Sequence, residues 1–203
     1  MDALSAVDAA VAAIRAGRLA IVPTDTVYGI ATSPDSEAPV RRLYEAKGRQ
    51  QVQPTALVVA DLELLFECVP ELRGGAATIA RALLPGPYTL VLPNPARRYR
   101  WLTGSRPGTI GVRVPALDGP AREVLSRVAA MVATSANLPG EPDPRTIDEV
   151  PEQIRAAADA IVDAGPLPGT PSTVIDFTGS EPVVLREGAV PAEEALRLVG
   201  SVL

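Results

Sequence analysis

Residues 129–144, AAMVATSANLPGEPDP, pass from core to surface within one short stretch. The apolar run 129–134 reads as a buried strand. It continues without a break into Ser135 and Asn137, then into a loop dense in Pro and Gly. Working outward, the pattern recurs. LAIVPTDT begins as a strand at 19–22 and ends at Pro23 in a polar loop. TALVVA (55–60), YTLVLP (88–93) and GTIGVRVP (108–115) read as further strands, and TPSTVIDF (170–177) with EPVVLREG (181–188) as a strand pair. Between them the sequence suits helices at 5–16, 37–46, 74–84, 118–128 and 151–158. The first stops at Gly17, and Pro39 is tolerated in the first turn of the second. Strands mixed with helices, some joined as βαβ units and some as hairpins, imply an α/β fold: a twisted open mixed sheet with flanking helices. No repeat or low-complexity linker divides the chain. One domain over residues 1–203 is therefore expected, closing on an amphipathic helix at 191–199 within a C-terminal segment 191–203.

Composition removes several chemistries. The chain has no histidine, so neither a Ser-His-Asp triad nor a His-ligated zinc is available. Its single cysteine, Cys68, makes no internal disulfide and no cysteine metal cluster. A net charge of −5 argues against a broad nucleic-acid-binding surface, so phosphate binding must come from a local cluster. No apolar run approaches the roughly 20 residues of a membrane span. The N-terminus lacks the basic start and cleavage site of a signal peptide. A soluble cytoplasmic protein that does not enter a membrane is the expectation.

Ligands of open α/β sheets bind at strand ends, and polar residues collect there. Thr24, Asp25, Thr26 and Tyr28 follow the first strand, Thr134, Ser135 and Asn137 follow MVA, and Ser172 and Thr173 open another strand. Each group also suits an ordinary capping turn. Arg113 sits among apolar neighbours in GVRV, where a buried guanidinium needs an anion; the other reading is that it alternates outward into solvent. Arg186, in VVLREG, poses the same question. Lys47 is the only lysine beside eighteen arginines. Codon bias accounts for the missing lysines, and a cation followed by Gly48 is an ordinary helix end. Alternatively, Lys47 and Arg49 project two cations at one anion, the lysine as a compact charge and the arginine as a planar fork. The P-loop and the G-x-G-x-x-G fingerprint are absent, and no carboxylate cluster suggests a metal cage.

Taken in order, PTDTVYGI, AKGR, LLPGPYTLVL, GTIGVRVP, ATSANLPGEP, PSTVIDF and VLREG resemble the YrdC/TsaC family of threonylcarbamoyl-AMP synthases. The likeness runs from about residue 13 to 188 and is to the family's short, single-domain form. It implies a YrdC-like fold with a concave, positively charged cavity. The implied reaction makes threonylcarbamoyl-AMP and pyrophosphate from L-threonine, bicarbonate and ATP, with Mg²⁺ accompanying the ATP, for the t6A modification of tRNA. Carried over by motif, Thr26, Arg113, Ala133 and Ser172 form the threonine pocket. Lys47, Arg49, Thr109, Ser135, Asn137 and Arg186 form the ATP side. Lys47 and Arg49 stabilise charge; no covalent nucleophile and no fixed protein metal ligand is implied. tRNA and other t6A-pathway proteins are the implied partners. The chain departs from the family at Gln50, Thr55 and Asp143.

Three other readings remain open on the residues. ARRYRW (96–101) interleaves basic and aromatic residues, as an RNA- or tRNA-binding module without turnover would. Ser135 with Lys47 would suit a Ser-Lys hydrolase. A paralogue carbamoylating another acceptor would share the motifs.

Overall fold

The computed structural model describes residues 3–48 and 53–202. The helices are α1 (Ala3–Arg15), α2 (Glu37–Lys47), α3 (Leu62–Cys68), α4 (Gly75–Leu83), α5 (Gly119–Val128), α6 (Glu152–Ala157) and α7 (Ala192–Gly200). The strands are β1 (Ala20–Val22), β2 (Gly29–Thr32), β3 (Ala56–Val59), β4 (Tyr88–Pro93), β5 (Thr109–Arg113), β6 (Ala130–Ser135), β7 (Ala160–Ile161), β8 (Thr173–Asp176) and β9 (Val183–Arg186). They form one mixed sheet in the order β7-β1-β2-β6-β3-β5-β4-β8-β9.

The opening stretch lies near the middle of that sheet. β6 pairs antiparallel with β2, Gly29 opposite Ser135, and antiparallel with β3, Ala56 opposite Ala133. β3 runs parallel to β5, β4 parallel to β8, and β8 antiparallel to β9, the expected strand pair.

Alternation along the strands divides the sheet into two faces. Ile21, Ile30, Leu57, Leu90, Leu92, Ile110, Val112, Val132 and Ile175 bury on one face beneath α2, α3, α4 and α7. Their neighbours point the other way. There, Ala20, Val22, Ala31, Val58 and Met131 pack under Val7, Val11 and Ile14 of α1 and Val124 and Leu125 of α5. Each fully buried aliphatic side chain contributes about 1.5–3 kcal/mol. Thr89, Val91, Thr109, Gly111, Arg113, Ala56 and Val174, on the other part of this face, line a cavity instead.

Three elements escape the sequence reading: β2, α3 and the two-residue β7. β2 is four residues, GIAT, buried on both faces, so it shows no alternation. It makes the PTDT segment the tip of a β1–β2 hairpin, with Ala20 opposite Ala31. α3 is seven residues long and is capped by Asp61, whose side chain accepts the Leu64 N–H at 2.8 Å. That Asp is the N-cap signal which could have located it. The strand expected over 181–188 is shorter, Val183–Arg186, and forms an exposed edge.

Candidate active site

The cavity is about 280 Å³ and is lined by residues from β2, β3, β4, β5, β6, β8 and β9 and from the loops beside them. Its floor follows from register. Val91, Gly111, Ala56 and Ala133 lie side by side on neighbouring strands, and three of the four are Gly or Ala. Small residues at that row give the cavity depth. Of the residues assigned by resemblance, Thr26, Thr109, Arg113, Ala133, Ser135, Ser172 and Arg186 all line this one cavity.

Arg113 does not alternate outward into solvent. Its side chain is only 12% exposed and pairs with Asp25, which is 9% exposed. Nη2 donates to Asp25 Oδ1 and, at 3.0 Å, to Thr26 Oγ1. Asp25 Oδ2 accepts the Ala116 N–H at 3.2 Å. Burial holds the guanidinium pKa below its ordinary value, against the pull of the Asp25 charge. Arg113 Nε is shielded and, among the described residues, has no hydrogen-bond partner.

Ser172 and Arg186 form a second group. Arg186 Nε and Nη2 donate to the Ser172 carbonyl at 3.1 and 2.9 Å, and Nη2 lies 3.1 Å from the Ser172 hydroxyl. That hydroxyl is also 2.9 Å from Thr89 Oγ1. Gly188 permits this approach. A Cβ there would stand 2.3 Å from the Pro171 carbonyl oxygen and 2.5 Å from the backbone of Ser172 and Thr173. The glycine of VLREG thus lets one segment lie against the other.

Lys47 and Asn137 stand apart from the cavity-lining residues. Lys47 is 4% exposed in the last turn of α2, and Gly48 follows in the left-handed conformation at φ 63°. The helix-end reading is therefore correct for Gly48, while the ammonium reaches further. Lys47 Nζ donates to the Ser135 carbonyl at 2.5 Å and to Asn137 Oδ1 at 2.9 Å. Ser135 Oγ also donates to Asn137 Oδ1, at 2.6 Å, and Asn137 Nδ2 donates to the Glu141 carbonyl at 2.7 Å. Lysine and the Ser-x-Asn turn are thus one network, with Ser135 at the cavity wall. The Ser-Lys hydrolase reading gains no support, because the lysine bonds the serine carbonyl and the serine hydroxyl points at Asn137. Arg49 and Gln50 lie outside the described residues. Thr55 is buried, its hydroxyl 3.3 Å from the Ala133 carbonyl; Asp143 is not among the residues lining the cavity.

Asp25 and Arg106 were not assigned from sequence. Asp25 lies in PTDT, so its neighbour Thr26 was the available signal. Arg106 lies in a Gly- and Pro-containing loop, TGSRPG, that carried none. It lines the cavity and pairs with Asp176 at 2.7 Å and with Thr178 at 3.0 Å. Burial works to raise the Asp176 pKa, but hydrogen bonds from Thr178 and Arg106 outweigh it and hold the carboxyl below its ordinary value. Among the described residues, the charged ones lining the cavity are Arg106, Arg113 and Arg186. In ARRYRW, Arg98 pairs with Glu71, Trp101 Nε1 donates to the Pro34 carbonyl, and Tyr99 meets Trp101 edge to face. Both aromatics pack against the core rather than form an open stacking platform. No helix among the described residues is long and apolar enough to cross a membrane.

Residues 12–188 match the family model Sua5/YciO/YrdC, whose description reads "telomere recombination". The chain is similar to the threonylcarbamoyl-AMP synthase of Pyrococcus abyssi, 36% identical over 93% of this chain and 56% of that protein. It is equally similar, at 36% identity, to a putative threonylcarbamoyl-AMP synthase of Mycobacterium tuberculosis H37Rv, over 94% of this chain and 88% of that one. It therefore spans little more than half of the first relative and most of the second. The structure of P. abyssi Sua5 complexed with L-threonine superposes with a TM-score of 0.87 at 35% identity, covering 100% of this chain and 59% of that one. On the match over 12–188 and these relatives, the chain belongs to the Sua5/YciO/YrdC family.

Proposed function

We propose that the cavity binds L-threonine and ATP and makes threonylcarbamoyl-AMP, with release of pyrophosphate. One observation carries the reading: seven of the ten residues that the family resemblance assigns to threonine and to ATP, scattered from Thr26 to Arg186, line a single cavity. The similar protein of P. abyssi carries the name of that activity, and its structure has been determined with L-threonine. We take residues 1–203 as one YrdC-like domain.

The chemistry needs alignment and positive charge more than a protein nucleophile. Threonine's amine adds to the carbon of CO₂ derived from bicarbonate; a C–N bond forms, nitrogen loses a proton, and a carbamate results. A carbamate oxygen then attacks the α-phosphorus of ATP, and the bond to the β-phosphate oxygen breaks, releasing pyrophosphate. Holding both reactants in one cavity makes each step effectively unimolecular. Arg113 faces the threonine carboxylate, beside Thr26, Ala133 and Ser172. Arg186, Thr109 and Ser135 meet the nucleotide, with Arg49 and the Lys47–Asn137 network supporting the phosphate charge.

Among the described residues, no group of His, Cys, Asp or Glu side chains is placed to hold a metal ion. In this reading Mg²⁺ would accompany ATP and help neutralise its phosphate charge. The product passes to enzymes that modify tRNA, which places the protein in the cytoplasm.

The test is incubation of the full chain with ATP, Mg²⁺, bicarbonate and each amino acid in turn, following pyrophosphate. Release that depends on L-threonine is expected. Release indifferent to the amino acid, or a tight tRNA complex with no turnover, would overturn the reading.

A further inference from the structure

We infer that Asp25 is a positioning residue, which acts through Arg113 to select a ligand carrying a free α-carboxylate. The inference rests on the cavity being an amino-acid site, and it adds a residue that the motif assignments do not include.

A buried arginine needs acceptors for a delocalised charge. Two residues of one element supply them: Asp25 and Thr26 at the tip of the β1–β2 hairpin both accept hydrogen bonds from Nη2. Nη2 has two protons, so both are committed. Either bidentate fork of a guanidinium uses Nη2; with that nitrogen occupied, an incoming carboxylate is offered Nη1. Among the described residues no acceptor is matched to Nη1, and Nε is shielded without a partner. The hairpin tip therefore fixes which edge of Arg113 serves the cavity.

Asp25 is itself held in place. Its second oxygen takes the Ala116 N–H, just beyond the strand that carries Arg113. The carboxylate thus ties the hairpin tip to the segment after β5, and it is not among the residues lining the cavity. It has the geometry of a support rather than of a ligand contact. Without its charge, Arg113 would remain buried beside Thr26 alone, and its planar group would lose the contact that orients it.

The test compares L-threonine with L-threoninamide, which keeps the amine and side chain but lacks the carboxylate. Calorimetric titration of each into the wild-type chain and into Asp25→Asn gives four affinities. Wild type is expected to prefer threonine. In Asp25→Asn, threonine affinity should fall about tenfold, the scale of one misaligned charge-assisted hydrogen bond, while threoninamide affinity stays within about twofold. The preference between the two ligands should thus collapse. ATP affinity, measured in parallel, should change by less than about twofold. If Asp25→Asn does not fold, Asp25→Glu displaces the charge by one methylene and should lower the threonine preference in the same direction. Equal weakening of both ligands would mean a merely structural role and overturn the inference. Unchanged or tighter threonine binding would overturn it as well. Failure of the wild type to bind any amino acid would instead overturn the functional reading, and this inference with it.

Discussion

Lys47 Nζ lies 2.9 Å from Asn137 Oδ1, so the end of α2 is fastened to the turn after the central strand β6. The ammonium also takes the Ser135 carbonyl, which places it directly behind a residue of the cavity wall. A guanidinium is planar and larger, with its donors spread over a fork. Lys47→Arg therefore cannot reproduce this contact within a 4% exposed site. We expect Lys47→Arg and Lys47→Ala each to lower threonine-dependent pyrophosphate release by at least about tenfold. Full activity in Lys47→Arg would show that any cation suffices there.

Removing the other partner strands the lysine. Asn137→Ala deletes an acceptor of the buried ammonium and the donor to the Glu141 carbonyl. A loss of stability of about 1–3 kcal/mol follows, together with reduced turnover. A urea midpoint unchanged from wild type would contradict the network.

Gly188→Ala tests the close approach on the far side of the cavity. The new Cβ would meet main-chain atoms of Pro171, Ser172 and Thr173, which have no flexible tip to yield. The backbone must shift, at about 1–3 kcal/mol, and Ser172 and Arg186 move with it. The expected result is a raised KM for both threonine and ATP in steady-state assays, since the proposed function assigns Ser172 to threonine and Arg186 to the nucleotide.

Ala133→Leu fills the cavity floor from the central strand. Ala133 is only partly buried and lies on the cavity wall, so the extra atoms displace ligand more than core. Threonine-dependent turnover should fall more than about tenfold, while the urea midpoint shifts by less than the equivalent of about 1 kcal/mol. Leu57→Ala, on the opposite face of the same sheet, should show the reverse pattern. There the fully buried side chain belongs to the core, and its loss costs about 2–5 kcal/mol.

Tyr28 provides a pH signature. Its hydroxyl is 2.8 Å from the Gly165 carbonyl and 3.0 Å from Asp163 Oδ1, and it accepts the Ala164 N–H at 2.9 Å. Burial above all, with Asp163 beside it, pushes its pKa up from 10.0 to about 12. The folded state therefore holds this proton more tightly than the unfolded chain. That stabilisation is fully present below pH 10 and is lost as pH rises from about 10 to 12, on the order of 2 kcal/mol. Urea midpoints measured across this range should fall, and Tyr28→Phe should flatten the fall. An equally steep decline in the variant would remove Tyr28 from the account.

The strands with large β-branched or leucine side chains were legible because each alternates between a deep core and a cavity. Leu90 and Leu92 against Thr89 and Val91 is one case, and Ile110 and Val112 against Gly111 and Arg113 another. β2 was illegible because GIAT is buried on both sides, and α3 because one short turn-rich helix yields little periodicity. At the site, motif order located seven residues that the fold gathers into one cavity. The supporting carboxylates were hidden. Asp25 and Asp176 act on arginines 88 and 70 residues away in sequence, a pairing only the sheet register creates.

The proposed reaction joins bicarbonate carbon, threonine and AMP in one product. Labelled bicarbonate incubated with the full chain, ATP, Mg²⁺ and L-threonine tests it most directly, with pyrophosphate measured in the same tube. The account predicts label recovered in a species containing both threonine and AMP, matched mole for mole by pyrophosphate and absent without threonine. Pyrophosphate formed with no label in such a species would contradict it.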